Sequence, residues 1–107
     1  MVEFKEWLNI DLRVGLIEKV EEIEGKDKIY KLSVNFGEVT KTVVSGIKPY
    51  YKIEELETKK VVFVYNLDPA TIVGIESQAM ILGAMNEDKK YKLMFVDDSV
   101  KEGTRLE

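Results

Sequence analysis

The stretch IYKLSVNFG, residues 29–37, alternates apolar and polar side chains along most of its length. Successive strand residues point to opposite faces, so this pattern predicts a strand with one buried and one solvated face. The apolar face of this strand begins at Tyr30 and ends at Phe36. A short turn follows, and then a β-branched run centred on Val43 and Val44. Two strands joined by so few residues predict a hairpin.

Similar segments lie on both sides of this hairpin. A first strand begins at Leu12 and contains Gly15, and a glycine inside a strand often marks a bulge or a sharp bend. The run DPATIVG, residues 68–74, is rich in turn-forming residues and is interpreted as a loop. Three further runs are interpreted as strands: VVFVYNL (61–67), ESQAMILGAM (76–85) and YKLMFV (91–96).

The summed pattern is that of a small all-β domain. Short strands with turn signals every 8–12 residues or so predict a barrel or a sandwich. A bent first strand and a short helical segment in residues 48–60 favour the five-stranded Greek-key barrel of the oligonucleotide/oligosaccharide-binding (OB) fold. The predicted organisation is one domain over 1–107, with a short N-terminal helix within 1–10 and a C-terminal extension over 97–107.

Composition excludes several classes of function. The 107 residues are enough for one core, and 45% are apolar and 34% charged, as in folded globular proteins. The chain has no Cys and no His, which removes disulfides, the usual zinc ligands and every nucleophile paired with histidine. We therefore expect no metal and no cofactor. The net charge of −4 leaves room only for a local basic patch, and no apolar run is long enough to span a membrane. A cytoplasmic protein is predicted.

No set of residues predicts an enzyme. The adjacent carboxylates Glu21–Glu22 and Asp97–Asp98 would point to opposite faces of a strand, so neither pair makes a natural acid–base dyad. The glycines are scattered, and no glycine-rich phosphate loop is present. We expect this chain to be non-catalytic.

Binding is a better-supported function for this chain than catalysis. A small five-stranded barrel binds single-stranded or looped nucleic acid on one face, where phosphates need Lys or Arg and base edges need amides and hydroxyls. The candidates are cations of the first three strands and polar or apolar residues near the fourth and fifth: Arg13, Lys28, Lys31, Lys41, Asn66, Ser77, Gln78 and Met80.

Each binding candidate also has a structural alternative. Lys28 can be an ordinary turn lysine, and Asn66 can be a turn former before Leu-Asp-Pro. Ser77 can hydrogen-bond its own loop, and Met80 can fill the core. Ser77 and Met80 are three residues apart, so a regular strand sends them to opposite faces. If both serve one site, the chain must be irregular between Ser77 and Ala79.

Five stretches, in order, resemble one known family: DLRVGLI (11–17), KDKIYKLSVNFGE (26–38), VVSGIKPYYKIEEL (43–56), KKVVFVYNLDPATIVGIESQAMILGA (59–84) and VKEGTRL (100–106). It is the tRNA-binding domain found at the C-terminus of methionyl-tRNA synthetases. The domain also occurs as a free-standing structure-specific tRNA-binding protein and in eukaryotic synthetase cofactors. The resemblance covers essentially the whole chain. It implies an OB-fold barrel that raises a synthetase's affinity for tRNA by recognising overall tRNA shape.

The resemblance also implies roles for single residues. Lys28, Asn66, Ser77 and Met80 match the family's binding positions. The chain departs from the family pattern where cations usually surround the turn after Asn66, because those positions are Asp68, Ala70 and Thr71, and where a glycine is usual, because that position is Ala79. Losing phosphate-facing cations should weaken tRNA binding and flatten its dependence on salt.

Family members of this length form homodimers through their terminal segments. Here that implies an interface containing Phe4, Trp7, Val100 and Leu106. The implied partners are tRNA, the catalytic chain of methionyl-tRNA synthetase and a second copy of this chain. Two alternatives stay open: a small chaperone-like dimer that binds peptides, because a sister branch of the family is similar to a secretion chaperone, and a module whose main task is dimerisation.

Overall fold

The computed structural model describes all 107 residues. It contains short antiparallel strands and two helices of one turn each, so the predicted all-β class is confirmed. The helices are α1 (Phe4–Trp7) and α2 (Ile53–Leu56). The strands are β1 (Leu12–Ile23), β2 (Lys26–Asn35), β3 (Thr40–Ser45), β4 (Lys60–Val64), β5 (Ala70–Ile72), β6 (Ile75–Ser77), β7 (Met80–Ile81), β8 (Gly83–Met85) and β9 (Tyr91–Leu93). Neither helix is long and apolar enough to cross a membrane.

Five strands form the principal sheet, in the order β3-β2-β1-β4-β7, and two small hairpins, β5–β6 and β8–β9, complete the fold. The predicted hairpin is the β2–β3 pair, in which Leu32 lies opposite Val43. The alternating face of β2 is buried as expected. The core contains side chains from β1 to β4 and from the segments around them: Ile17, Val20, Tyr30, Leu32, Val34, Phe36, Val43, Ile47, Leu56, Val61, Phe63, Ala79, Ile81 and Leu93.

Strand β1 pairs with two different strands along its length. Its first half pairs with β4 and its second half with β2, and Leu16 takes part in both ladders. The expected irregularity at Gly15 is found elsewhere, because the register shifts lie between Ile17 and Lys19 and again near the end of β1. Gly15 instead permits close packing. A Cβ atom there would lie 2.5 Å from a side-chain carbon of Val34 and 2.7 Å from the ring of Phe63.

The prediction of a closed five-stranded barrel is not confirmed, because the sheet does not close. No strand ladder joins β3 to β7. The Gln78 amide donates to the carbonyl of Thr42 at 2.8 Å, and the Thr42 amide donates to the side-chain oxygen of Gln78 at 2.8 Å. The chain is irregular at Gln78 and Ala79, between β6 and β7, so the backbone bond from Gln78 to Thr42 is not continued as a ladder along β3. Side-chain hydrogen bonds take the place of a ladder there.

Two other sequence interpretations were wrong. The run 76–85 is not one strand but parts of β6, β7 and β8, because each of these short strands pairs with a different partner. The run 68–74 is not only a loop. It contains β5 and a tight turn at Val73 and Gly74, whose φ angles of 46° and 79° are the positive values that the favoured hairpin turns require.

The C-terminal tail continues the sheet beside β1. The Val14 amide donates to the carbonyl of Thr104 at 2.9 Å, and the Leu106 amide donates to the carbonyl of Leu12 at 2.8 Å. Arg105 then donates to the carbonyl of Leu8 at 2.8 Å. These bonds hold the two chain ends together at one end of the molecule.

Candidate nucleic-acid interface

A groove runs between the edge of β3 and the segment from Leu67 to Ile81. We call it the β3–β7 groove; its volume is about 170 Å³. Its lining is mostly apolar, with Asp68 as the one charged side chain: Val44, Ser45, Leu67, Asp68, Ala70, Ile72, Ser77, Ala79, Met80 and Ile81. A groove with this lining suits an apolar or flat group better than a phosphate.

Ser77 lines this groove but its hydroxyl is used within the protein. Ser77 is only 6% exposed. Its Oγ accepts a hydrogen bond from the Val44 amide at 2.9 Å and donates to the carbonyl of Ala79 at 3.2 Å. A buried amide must have an acceptor, and here Ser77 supplies it at the edge where the ladder is missing.

Met80 lies on the accessible side of the same groove. It is 46% exposed, although it begins strand β7. The irregular backbone at Gln78 and Ala79, which the sequence required if Ser77 and Met80 were to serve one site, is present. Both side chains therefore line one groove, with Ser77 buried at its wall and Met80 exposed.

Lys28 and Lys31 are cations of β2 without an ion pair, and of the two only Lys31 lies beside this groove. Lys31 lies directly opposite Val44 of the groove wall and, on its other side, opposite Glu21. Lys28 is exposed, and its carbonyl oxygen lies 3.8 Å from the position that a Cβ atom on Gly46 would take. Because Lys28 and Lys31 are three residues apart on β2, they leave the strand on opposite faces.

Arg13 and Asn66 belong to a separate cluster around Asp11. The Arg13 guanidinium donates two hydrogen bonds of 3.0 Å to the Asp11 carboxylate, and these bonds raise the pKa of Arg13. The Asn66 side chain accepts from the Asp11 amide at 2.9 Å and donates to the carbonyl of Asn9 at 2.8 Å. Asn66 thus holds the N-terminal segment, and Arg13 is already neutralised by a carboxylate.

Tyr65 was missed by the sequence analysis, which placed it in an apolar run. The guanidinium carbon of Arg13 lies 4.2 Å from the centre of its ring, and the Lys41 Nζ lies 3.8 Å from it. The Lys41 ammonium also donates to the carbonyl of Tyr65 at 3.0 Å, and burial lowers the pKa of Lys41. Both cations are partly buried and already have partners within the protein. A cleft of about 480 Å³ beside Tyr65 also contains Glu38 and other charged side chains of both signs.

A family model described as "Putative tRNA binding domain" matches residues 12–105. This chain belongs to the tRNA-binding domain family. It is 40% identical over 98% of its length to the methionine–tRNA ligase of Caldanaerobacter subterraneus subsp. tengcongensis. It is 42% identical over 98% of its length to that of Pyrococcus furiosus. The chain spans only 16% and 14% of these two relatives. The predicted family resemblance is confirmed.

Solved structures with the same fold include two kinds of protein. The tRNA-binding domain superimposes on a MetRS-related protein from Pyrococcus horikoshii with a TM-score of 0.93 and 40% identity, covering 99% of this chain and 97% of that one. It also superimposes on the chaperone CsaA from Picrophilus torridus with a TM-score of 0.88 and 32% identity, covering 100% of both chains.

The termini of this tRNA-binding domain form an apolar surface. Phe4, Trp7 and Leu106 line one hollow of about 340 Å³ together with Leu8 and Ile10, and Phe4 is 73% exposed. We call this surface the terminal face.

The fourth residue assigned to the dimer interface, Val100, does not line the terminal face. Its carbonyl accepts a hydrogen bond of 2.6 Å from the Lys60 ammonium. The structure therefore groups Phe4, Trp7 and Leu106, and places Val100 beside Lys60.

Proposed function

We propose that this domain binds tRNA without catalysing a reaction and raises the tRNA affinity of a methionyl-tRNA synthetase. It does so either as part of that chain or as a separate subunit, and its work beside a synthetase places it in the cytoplasm. The observation that carries the proposal is the similarity of 98% of the chain to methionine–tRNA ligases at 40–42% identity.

In this proposal Lys31, which lies opposite Val44 of the groove wall, contacts a phosphate at the rim of the β3–β7 groove. Lys28 contacts a second phosphate outside that groove, near Gly46, and Met80 contacts an exposed part of a nucleotide. The groove itself carries the carboxylate of Asp68, which repels phosphate. Arg13 and Asn66 are both hydrogen-bonded within the protein. They contribute to RNA binding indirectly, by holding the segment from Asn9 to Asp11 in place. With few free cations, binding should be weak and only modestly salt-dependent. Two phosphate contacts give a log–log slope of about −1.4 to −1.8.

The test is a titration with unmodified tRNA between low and moderate salt. Replacing Lys28 by Ala should lower the affinity and reduce the salt slope by about 0.7 to 0.9, because one phosphate contact is lost. Lys5→Ala is the matched control, since Lys5 is an exposed lysine on α1. Absence of binding by the wild type even at low salt would refute the RNA proposal.

We further propose that two copies pair through the terminal face. A side chain as apolar and exposed as Phe4 is stabilised by burial against a partner. Phe4→Asp should give monomers in analytical ultracentrifugation, whereas Val39→Asp, at an exposed apolar residue outside this face, should not. A wild-type monomer at micromolar concentration contradicts the pairing. A stable dimer that binds no tRNA would instead favour a module whose main task is dimerisation.

A second candidate function is peptide binding by a chaperone-like dimer. It is favoured by the likeness to CsaA along the whole chain and by the mostly apolar lining of the β3–β7 groove. The two functions can be separated by titrating an extended apolar peptide with and without tRNA. Peptide binding that Met80→Asp removes, in a protein that does not bind tRNA, would support the chaperone-like function.

A further inference from the structure

A second hollow of about 280 Å³ lies next to the β3–β7 groove. It is lined by Ser45, Gly46, Ile47, Tyr50, Met85 and Tyr91, and we call it the aromatic hollow. Tyr50 comes from the loop after β3, whereas Met85 and Tyr91 are directly opposite each other on the β8–β9 hairpin. Tyr50 is 38% exposed and Met85 is 54% exposed. Two separate parts of the chain thus present aromatic and thioether groups to solvent at one place.

The geometry of the two rings determines how a flat ligand could bind. The ring centres of Tyr50 and Tyr91 are 6.1 Å apart and the rings are tilted by 47°. A base inserted between two rings needs parallel planes separated by roughly twice the ~3.4 Å stacking repeat. The observed pair is too close and too tilted for that. A base can stack on the exposed part of Tyr50, with Tyr91 supporting that ring from the hairpin side.

The aromatic hollow is continuous with the proposed RNA contacts. Ser45 lines both this hollow, with Tyr50, and the β3–β7 groove, with Met80, so the two sites adjoin at Ser45. Gly46, in the wall of the hollow, is adjacent to the backbone of Lys28. A strand of nucleic acid that contacts Lys28 and Met80 therefore passes the aromatic hollow.

The charge around the hollow suits a nucleic-acid strand. Lys90, which precedes Tyr91, is exposed and, like Lys28, has no carboxylate partner within 4.0 Å. Lys92, opposite Ala84, leaves β9 on the face away from the hollow. The carboxylates of the hairpin are confined to its tip, at Glu87–Asp88. Exposed aromatic groups combined with cations that follow the backbone are the two components of single-stranded nucleic-acid sites.

We propose that the aromatic hollow takes one unpaired base of the bound RNA, stacked on Tyr50, while Lys28 and Lys90 contact the flanking phosphates. The inference rests on the proposed tRNA-binding function and specifies the part of the RNA that is read. A base in a duplex cannot reach Tyr50 in this way, so the hollow would favour tRNA and single-stranded RNA over a regular RNA helix.

Three variants at Tyr50 test this inference. Tyr50→Ala should weaken binding of tRNA about 5- to 150-fold, since stacking on an aromatic side chain contributes about 1–3 kcal/mol per base and 1.4 kcal/mol is tenfold. Tyr50→Phe and Tyr50→Trp should retain binding because they keep a flat ring. The salt slope of Tyr50→Ala should equal that of the wild type, because stacking releases no counterions. Phe95→Ala is the control, at an exposed aromatic side chain that borders a different hollow.

Two RNA probes separate the failure of this inference from the failure of tRNA binding itself. An eight-nucleotide single-stranded RNA should shift the Tyr50 ring resonances in NMR spectra, and a regular RNA duplex of the same length should not. If the wild type binds tRNA and Tyr50→Ala binds it equally well, the inference is overturned and the proposed function stands. If neither tRNA nor the single strand binds, both are overturned. Loss of peptide binding but not of RNA binding in Tyr50→Ala would also overturn it.

Discussion

Ser77 gives the sharpest test of whether a family binding position acts on RNA or on the fold. Its hydroxyl accepts from the buried Val44 amide at 2.9 Å and donates to the Ala79 carbonyl at 3.2 Å. Both bonds lie at the edge where β3 and β7 lack a ladder. We predict that Ser77→Ala lowers the free energy of unfolding, and that any loss of tRNA affinity follows from this loss of stability.

The size of the effect follows from the buried amide. Ser77→Ala leaves the N–H of Val44, a residue only 5% exposed, without its acceptor, and an unsatisfied buried donor costs about 1–3 kcal/mol. A domain of about 100 residues loses roughly 4–8 °C of melting temperature per kcal/mol. The expected decrease is therefore about 4–24 °C.

Urea unfolding and tRNA titration together make the measurement. Ser77→Ala should shift the urea midpoint with an unchanged m value, and the salt slope of tRNA binding should stay that of the wild type. Ser33→Ala is the control, because Ser33 is a half-buried serine on β2 that makes no side-chain hydrogen bond, and it should change the stability by less than about 0.5 kcal/mol. The reasoning is refuted if Ser77→Ala is as stable as the wild type but binds tRNA more weakly.

Three further predictions concern the tail, a turn and alkaline stability. Gly103→Ala should destabilise by about 1–3 kcal/mol or more and speed hydrogen exchange of the Val14 amide, because a Cβ would overlap a backbone carbonyl at a positive φ of 89°. Gly25→Ala is the comparison variant, because Gly25 has a similar φ of 77° but open space around its Cβ position. It should therefore show the backbone strain without the steric overlap, and should lower the free energy of unfolding by less in the same denaturation assay. Val73→Asn should raise the stability by about 1 kcal/mol in thermal unfolding, since a β-branched residue disfavours its φ of 46°; an unchanged melting temperature would contradict this. Burial raises the pKa of Tyr30 in the folded protein above the ordinary value of about 10 that it has in the unfolded chain. The free energy of unfolding should therefore be constant below pH about 10 and fall as the pH rises from there through the folded-state pKa. Tyr30→Phe should be less stable at neutral pH by about 1 kcal/mol and lose this alkaline decline, whereas an unchanged decline would exclude Tyr30 as its source.

The strands with regular periodicity were predicted well. In residues 29–37 the burial of each side chain follows from the sequence, because a period of two leaves only one face for the core. The β-branched run of β4 likewise indicates a buried strand. The segment from Asp68 to Met85 was predicted poorly. Its pieces are two or three residues long, and a strand that short has too few side chains to show a period.

The candidate site residues differ in whether their side chains are free or are used within the protein. Met80 and Lys28, chosen from the sequence as binding candidates, are both exposed. The internal roles of Ser77 and Asn66 could not be predicted, because their partners lie 33 and 57 residues away in the chain. Tyr65 gave no signal at all, since an aromatic residue at the end of a buried strand has the same pattern whether it fills the core or supports two cations.

The sequence by itself determined the all-β class, the central hairpin and the family, because these depend on local periodicity and on residues in a fixed order. Only the tertiary structure decided that the sheet stays open between β3 and β7 and that Ser77 and Gln78 join its edges. It also decided which lysines remain unpaired and that Tyr50 and Tyr91 meet. These features arise from contacts between distant segments, and their geometry depends on packing that no local pattern encodes.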